Sequence, residues 1–286
     1  MDGSIKEVLE LLDLEQVEVN IFRGNSPKDR WQRVFGGQVL GQALVAASRT
    51  VEGRVCHSLH AYFIRPGDPK IPILYEVDRS RDGRSFTTRR VVAIQHGEQI
   101  FNMAASFQVP ETGLEHQFDM PKVVGPEGLE PEDVRRARLA HPVPEAVREH
   151  FSKPGPIDVR PIDEDDDLIN PKKAPPYHDV WLKAKGQMPD DLALHQCVLA
   201  YASDMTLLDT CLIPHGISWF SGRLQSASID HAMWFHHPFR VDDWLLYSHD
   251  SPSAAGARGF NRGLIFTRQG LLVASVAQEG LIRVRG

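Results

Sequence analysis

The pattern of apolar and polar residues first predicts a helix, then a strand, then a buried helix. Apolar residues fall on one helical face between positions 5 and 12, after an S-x-x-E capping box formed by Ser4 and Glu7. Residues 17–21 alternate as a strand does. The segment "VFGGQVLGQALVAASRTV" (34–51) is apolar on all sides. A helix of that kind is expected to be buried.

A run of β segments follows, from residue 58 to residue 108. The segments are "SLHAYFI", "ILYEVDRS", "SFTTRRVVAIQ" and "QIFNMAASFQV". They are separated by the turn sequences "RPGD", "RDGR" and "QHGE", which contain the glycine, proline and aspartate that tight turns favour. This half of the chain therefore predicts an antiparallel meander that follows a buried helix.

The character of the chain changes between residues 110 and 176. Twelve of the 20 prolines lie there, together with the acidic run "DEDDD" (163–167). Proline removes a backbone donor, so strand pairing is not expected in this segment. A short helix is expected at "PEDVRRARLA" (131–140), and the segment as a whole predicts a surface linker.

After the linker the same order of elements returns. We expect strands at "VWLKAKG" and "HQCVLAYAS", the start of a buried helix at "DMTLLDTCL", and four further β segments. Local echoes of the first half lie 171 to 174 positions away, such as "HAYF" beside "HAMWF" and "GRSF" beside "ARGF". Such a fixed spacing indicates an internal duplication.

The duplication predicts an α+β fold of the double hotdog type. Two tandem units would each wrap an antiparallel sheet around a long buried helix. The expected division is a first unit at 1–112, a linker at 113–175 and a second unit at 176–286. The alternative is an unrelated α+β domain followed by a β domain.

Composition limits which partners and which cellular location are expected for the protein. The net charge of −6 gives no support to nucleic acid as a partner. Three cysteines are too few for a disulfide framework, and a cytoplasmic location is expected. We expect no signal peptide and no membrane span. The final residues "VRG" are not a recognised peroxisomal address.

Several common site signatures do not occur. The sequence lacks G-x-S-x-G, a phosphate-binding loop, a dinucleotide fingerprint and H-E-x-x-H. His231, His236 and His237 cluster, but strand alternation sends the last two to opposite faces. Neither a metal site nor a bound cofactor is therefore expected.

Six segments taken together resemble the acyl-CoA thioesterase II family, the TesB-type double-hotdog thioesterases. They are "FGGQVLGQAL" (35–44), "SLHAYFIRPGD" (58–68), "LAYASDMTLL" (199–208), "SIDHAMWFH" (228–236), "ARGFNRG" (257–263) and "LVASVAQEGLIR" (272–283). The resemblance implies hydrolysis of fatty acyl-CoA, with coenzyme A as part of the substrate.

The resemblance also implies a catalytic trio, Asp204, Ser228 and Gln278, which activates water without a covalent acyl-enzyme. Many family members have threonine where this chain has Ser228, and either residue supplies one hydroxyl. Asp204 is expected to follow a strand and to open an apolar helix, where it could also be a simple N-cap. Partial desolvation there would raise its pKa, and hydrogen bonds from the other two side chains would favour its charged form.

Weaker candidates for substrate or oxyanion contact are Gly36, Gly37, His60, Arg258 and Arg262. The glycine pair could let a substrate approach a helix N-terminus, or it could be a packing device. His60 is echoed by His231, which suggests a shared structural hydrogen bond. Some of the arginines, including Arg84, Arg89 and Arg90, could contact the phosphates of coenzyme A.

The duplication has a further consequence for the site. The first-half position that corresponds to Asp204 is expected near Gly36 and Gly37, where no carboxylate stands. One site per chain is therefore expected.

Two alternative functions stay open. The first is a hotdog hydratase or dehydratase that acts on an enoyl or hydroxyacyl thioester, and the second is a non-catalytic acyl-CoA-binding protein. Assembly into a homo-oligomer is also expected.

Overall fold

The computed structural model describes residues 4–27, 33–141, 143, 145, 148, 151–162 and 165–285. The helices are α1 (Ile5–Leu12), α2 (Gly36–Ser48), α3 (Glu132–Leu139) and α4 (Leu192–Ser203), with 3-10 segments at Leu208–His215 and Trp219–Ser221. The strands are β1 (Glu15–Glu18), β2 (Ile21–Gly24), β3 (Val55–Phe63), β4 (Ile73–Asp82), β5 (Phe86–Gln95), β6 (Glu98–Gln108), β7 (Ile157–Pro161), β8 (Tyr177–Ala184), β9 (Leu224–Ser228), β10 (Asp230–Phe235), β11 (Leu245–Ala255), β12 (Arg258–Thr267) and β13 (Leu272–Val284).

All the strands form one antiparallel sheet. The first unit contributes the order β1-β2-β4-β5-β6-β3, and the second contributes β10-β13-β12-β11-β8-β7, with β9 paired to β13. The two halves meet where β3 pairs with β10, with Ala61 opposite His231. Helix α2 packs against strands of the first unit and α4 lies beside it in the core. The predicted double hotdog fold is confirmed.

The two core helices cross with their directions opposed. Gly37 lies beside Tyr201, and Gly41 lies beside Cys197, so the start of α2 meets the end of α4. A β-carbon on Gly37 would lie 2.3 Å from the carbonyl oxygen of Tyr201, closer than any real contact. Glycine is therefore required there for the helices to approach this closely.

The second unit differs from the sequence prediction in its core helix. The segment "HQCVLAYAS", predicted as a strand, lies inside helix α4, whose first turn is capped by the Asp191 carboxylate. The segment "DMTLLDTCL", predicted as the start of the buried helix, leads into the 3-10 segment Leu208–His215. A short apolar run fits a strand and a buried helix equally well, and this one is the helix.

The predicted linker contains both expected and unexpected structure. The short helix is present as α3. Strand β7, however, pairs with β8 at the edge of the sheet, so the expectation of no strand pairing was wrong. Pro161 is the last residue of β7, an edge strand where a missing donor costs little. The boundaries of the two units and the linker stay a prediction.

Within the described part of the chain, one helical stretch, Leu192–His215, is long and apolar enough to cross a membrane by length and composition. Of its most apolar window, 67% is buried inside the fold. The stretch contains α4, which packs against α2 in the main core. Its hydrophobicity is therefore explained by burial in the protein.

Candidate active site

Asp204 lies at the C-terminal end of helix α4, where it is the C-cap residue. The sequence prediction placed it at the start of a helix, as a possible N-cap, and that prediction was wrong. Its side chain is only 4% exposed. The C-terminal end of a helix carries partial negative charge, so α4 gives this carboxylate no electrostatic support. The stabilising groups come from other elements.

Ser228 and Gln278 provide two of these groups. Ser228 ends β9 and Gln278 lies in β13, and the pairing of these strands sets Ser228 opposite Gly280. The Gln278 amide nitrogen donates to Oδ1 of Asp204 at 2.6 Å. The Ser228 hydroxyl lies 3.4 Å from the same oxygen. The structure therefore brings together the three residues that the resemblance implied.

A third donor comes from the other unit. The backbone N–H of Gly37, in the first turn of α2, donates to the Asp204 carboxylate. A β-carbon on Gly36 would lie 2.7 Å from Oδ2 of Asp204. The interpretation of the glycine pair as a packing device therefore has a structural basis, and approach of a substrate to this helix N-terminus stays a prediction. Gly37 permits close helix packing, and Gly36 leaves room for the carboxylate.

The surroundings of Asp204 shift its pKa upwards. Burial raises the pKa from 3.8 to about 6, because the charged form loses its hydration. The hydrogen bonds from Gln278, Gly37 and Ser228 act in the opposite direction and favour the carboxylate. A carboxylate in this state is ionised at neutral pH and still binds a proton readily, as a general base must.

Two residues of the site were not identified as such from the sequence. His231 Nδ1 lies 3.1 Å from the Gln278 amide nitrogen, and its Nε2 lies 2.9 Å from the Ser203 hydroxyl. Both residues lie in segments that carry the family resemblance. Ser203 directly precedes Asp204 in "LAYASDMTLL", and His231 is the histidine of "SIDHAMWFH". No spacing rule connects the two.

His60 and His231 do not occupy equivalent positions. In the pairing of β3 with β10, His231 lies opposite Ala61, and His60 lies opposite Ala232. Successive residues of a strand point to opposite faces, so the two histidines face different sides of the sheet. His60 is exposed and packs edge-on against Trp234, with ring centres 5.1 Å apart. The structure does not bring His60 to the trio.

In the first unit, the position that matches Asp204 holds no carboxylate. Its core helix α2 ends at Arg49 as the C-cap, the position that Asp204 has after α4. The expectation that this position falls near Gly36 and Gly37 was wrong, because those residues begin the helix. They reach Asp204 by direct contact across the two units. The lack of a carboxylate at Arg49 agrees with one site per chain.

Arg89 lies in the first unit, beside Thr50 and close to the end of α2. Ala105 of β6 lies opposite Leu59 on one side and opposite Arg89 on the other. The Arg89 side chain is 2% exposed, donates to the Thr50 hydroxyl and carbonyl, and pairs with Asp82 at 2.6 Å. A guanidinium enclosed in this way has no surface to offer a phosphate group.

Two further arginine candidates, Arg258 and Arg262, lie at the surface in ion pairs. Arg258 contacts Glu279 at 2.9 Å, and Arg262 contacts Asp250 at 2.7 Å. Both guanidinium groups are about half exposed. Contact with coenzyme A phosphates stays a prediction for them, and such contact would compete with these carboxylates.

Among the described residues, no group of three or more His, Cys, Asp or Glu side chains is placed to hold a metal ion. The absence of a cofactor also stays a prediction. The chemistry available at the site consists of a buried base, a hydroxyl, an amide and the N-terminus of a helix.

Comparison with known proteins identifies the family. The family model described as Acyl-CoA thioesterase matches residues 160–281, and that described as Acyl-CoA thioesterase N-terminal domain matches residues 27–108. Acyl-CoA thioesterase 2 of Haemophilus influenzae is 42% identical over 284 residues, covering 99% of each chain. Human acyl-coenzyme A thioesterase 8 is 41% identical, covering 99% of this chain and 91% of its own.

A solved structure agrees with these relatives. The crystal structure of acyl-CoA thioesterase II TesB2 from Mycobacterium marinum is 46% identical and covers 98% of this chain and 99% of its own, with a TM-score of 0.79. The resemblance seen in the six sequence segments is thus confirmed over the full length. The chain belongs to the acyl-CoA thioesterase family, and its predicted class as a thioester hydrolase is confirmed.

Proposed function

We propose that the chain hydrolyses fatty acyl-CoA thioesters to free fatty acid and coenzyme A, with Asp204 as the general base. The observation that carries this proposal is the state of Asp204. Its carboxylate is buried, has a pKa of about 6 and accepts hydrogen bonds from two units of one chain. A thioester carbonyl is already electrophilic, so the site needs only a positioned water, a base and donors for the oxyanion.

The proposed reaction has two steps and balances without a cofactor. Asp204 removes a proton from a water molecule as the water oxygen attacks the thioester carbon, and the carbonyl oxygen becomes an oxyanion. The C–S bond then breaks, and the proton on Asp204 passes to the departing thiolate. General-base assistance of this kind typically contributes about 10² to 10⁴ in rate.

The other groups have separate proposed roles. Ser228 and Gln278 hold the carboxylate by donating to it, and the oxygen atoms of both side chains are left to accept hydrogen bonds from the water. The oxyanion would face the N-terminus of α2, where the helix dipole places partial positive charge. Arg258 and Arg262 are proposed to contact the phosphates of coenzyme A, with Arg84 and Arg90 as further exposed candidates.

One assay separates this proposal from the two alternatives. The protein is incubated with saturated medium- and long-chain acyl-CoAs and with enoyl-CoAs. Release of free thiol from the saturated substrates supports hydrolysis. Addition of water to the enoyl group without thiol release would support a hydratase instead, and tight binding without turnover would support a binding protein.

A second experiment addresses the absence of an acyl-enzyme. In a single turnover with enzyme in excess in H₂¹⁸O, the label should enter the fatty acid and leave the Asp204 carboxylate unlabelled. Mass spectrometry of the peptide that contains Asp204 reports this. Label found on Asp204 would instead indicate a mixed anhydride, with the aspartate as nucleophile.

The hydroxyl of Ser228 is tested by two substitutions. Ser228→Thr keeps a hydroxyl and is expected to stay active, whereas Ser228→Ala is expected to lose most of kcat. Equal activity of the two variants would show that the hydroxyl is dispensable.

A cytoplasmic location and a homo-oligomeric state stay predictions, which fractionation and light scattering would test.

A further inference from the structure

A continuous chain of polar contacts leads from helix α4 to the catalytic carboxylate. The Ser203 hydroxyl lies 2.9 Å from the carbonyl oxygen of Ala200 and 2.9 Å from Nε2 of His231. On the other side of the ring, His231 Nδ1 lies 3.1 Å from the amide nitrogen of Gln278. That same nitrogen donates to Asp204 at 2.6 Å.

The Ala200 carbonyl fixes the direction of every hydrogen bond in the chain. A carbonyl can only accept, so the Ser203 hydroxyl must donate its one hydrogen to it. The serine oxygen is then left as an acceptor for His231, and Nε2 must carry the ring hydrogen. His231 is 0% exposed, and burial lowers its pKa to about 3, so the ring is neutral. Nδ1 therefore presents a lone pair.

The lone pair on Nδ1 determines which way the Gln278 amide faces. Only the NH₂ group of the amide can donate to it, and the second hydrogen of that group donates to Asp204. The amide oxygen must point elsewhere. Gln278 Oε1 is buried and has no partner within the described part of the protein.

We infer that His231 is a positioning residue that keeps the NH₂ group of Gln278 turned towards Asp204 throughout the reaction, an inference that rests on the proposed role of Asp204 as the base. The need arises once Asp204 has taken the proton. A protonated Asp204 could donate to Oε1 of a rotated amide, which would stabilise the neutral acid. Rotation would set Oε1 against the Nδ1 lone pair, so His231 opposes it.

The consequence is that Gln278 can stabilise only the charged form of the base. Loss of the acceptor on His231 should therefore raise the pKa of Asp204. The other titratable groups acting on Asp204 are Asp209 in the 3-10 segment and Tyr247 on β11, whose phenol donates to the Ser203 carbonyl. Both stay in place in the variants below.

The test compares two substitutions of His231 by the pH dependence of kcat/KM, measured by thiol release. The acid limb of this pH profile is the range in which activity falls as Asp204 becomes protonated. Asparagine can set its Oδ1 where Nδ1 stood, so His231→Asn should keep the midpoint of the acid limb within about 0.3 pH units of wild type. Leucine offers no acceptor, and His231→Leu should move the limb upwards by about one pH unit. Equal shifts in both variants, or a loss at every pH with an unmoved limb in His231→Leu, would overturn the inference.

Ser203 provides an independent variant that leaves the histidine in place. In Ser203→Ala the ring is free to carry its hydrogen on Nδ1 and to donate to a rotated Gln278, so the limb should also move upwards. In the double variant Ser203→Ala/His231→Leu, the loss of Ser203 should add nothing to the shift of His231→Leu, because Ser203 acts only through the histidine. A further shift in the double variant would contradict the proposed chain.

Nitrogen NMR of the labelled histidine ring gives a readout that needs no activity. Wild-type His231 should be the neutral Nε2–H tautomer between about pH 5 and pH 8. An imidazolium or an Nδ1–H tautomer in that range would overturn the inference. Asp204→Asn is assayed beside it. Near-normal turnover in that variant would refute the role of Asp204 as base, whereas the tautomer of His231 would still be read separately.

Discussion

The backbone N–H of Gly37 in the first unit donates a hydrogen bond to the carboxylate of Asp204 in the second. The contact exists because α2 and α4 cross with opposite directions at a pair of glycines, Gly37 and Gly41. The start of one helix thus meets the end of the other. The proposed base and one of its donors therefore come from different halves of a duplicated chain, and neither half alone carries the whole arrangement.

Gly36 is expected to be essential for turnover. Its substitution by alanine would place a β-carbon 2.7 Å from Oδ2 of Asp204. The carboxylate would have to move, and a displacement of this size typically costs about 10²-fold in kcat. The measurement is kcat of Gly36→Ala by thiol release, with circular dichroism to verify the fold.

Gly155→Ala is the matched control, since a β-carbon there would contact nothing within 4 Å. It should leave kcat unchanged. If Gly36→Ala also retained wild-type kcat, the carboxylate would not need the space that this glycine provides.

The activity of the wild type should fall as the pH drops through about 6, the pKa of Asp204. Below that value the base is protonated and cannot accept a proton from water. The Gln278 hydrogen bond is the largest influence that lowers this pKa. In Gln278→Ala the acid limb of kcat/KM should therefore lie at higher pH, in addition to any loss of rate. A limb that stayed near 6 would show that Gln278 does not tune the base.

Asp204→Asn should make the protein more stable at pH 8. The native pKa of Asp204, about 6, exceeds the ordinary value of 3.8, so the folded state holds this proton more tightly than the unfolded state. Stability due to this group is then greatest below pH 3.8 and is lost as the pH rises through 6. Removing the charge should raise the free energy of unfolding at pH 8 by up to ~3 kcal/mol.

Urea unfolding at two pH values checks the sign. The stability difference between Asp204→Asn and wild type should be large at pH 8 and should shrink towards pH 4. A variant that was less stable than wild type at pH 8 would contradict a costly buried charge.

Arg89 should matter for stability and leave substrate affinity unaffected. Its guanidinium donates to Thr50 and pairs with Asp82 from a buried position. Arg89→Met should lower the free energy of unfolding by ~2 kcal/mol or more, because the Thr50 acceptors lose their partner. The exposed neighbour Arg90 is the control, and Arg90→Met should change stability by less than ~0.5 kcal/mol. A raised KM for acyl-CoA in Arg89→Met would instead point to a phosphate contact.

Local patterns in the sequence predicted much of the fold. The meander, the first buried helix and the duplication all follow from alternation, turn residues and spacing. The second buried helix did not, because "HQCVLAYAS" is apolar throughout and has no period that separates a strand from a helix. Strand β7 was missed because proline content was given more weight than edge position.

The residues of the site were found from the family resemblance, and their environment was not. Asp204 was expected to cap the start of a helix and it follows the end of one. The partnership of Gly37 with Asp204 depends on how two distant helices cross, and the opposite facing of His60 and His231 depends on strand register. Neither the crossing of the helices nor the register of the strands can be obtained from a single segment of sequence.

The most direct test of the account is kcat of Asp204→Asn for acyl-CoA hydrolysis at about pH 8, followed by thiol release and compared with wild type. The variant keeps the size of the side chain and removes the base. The account predicts a folded protein whose kcat is lower by about 10² to 10⁴. Near-normal turnover by the folded variant would contradict it.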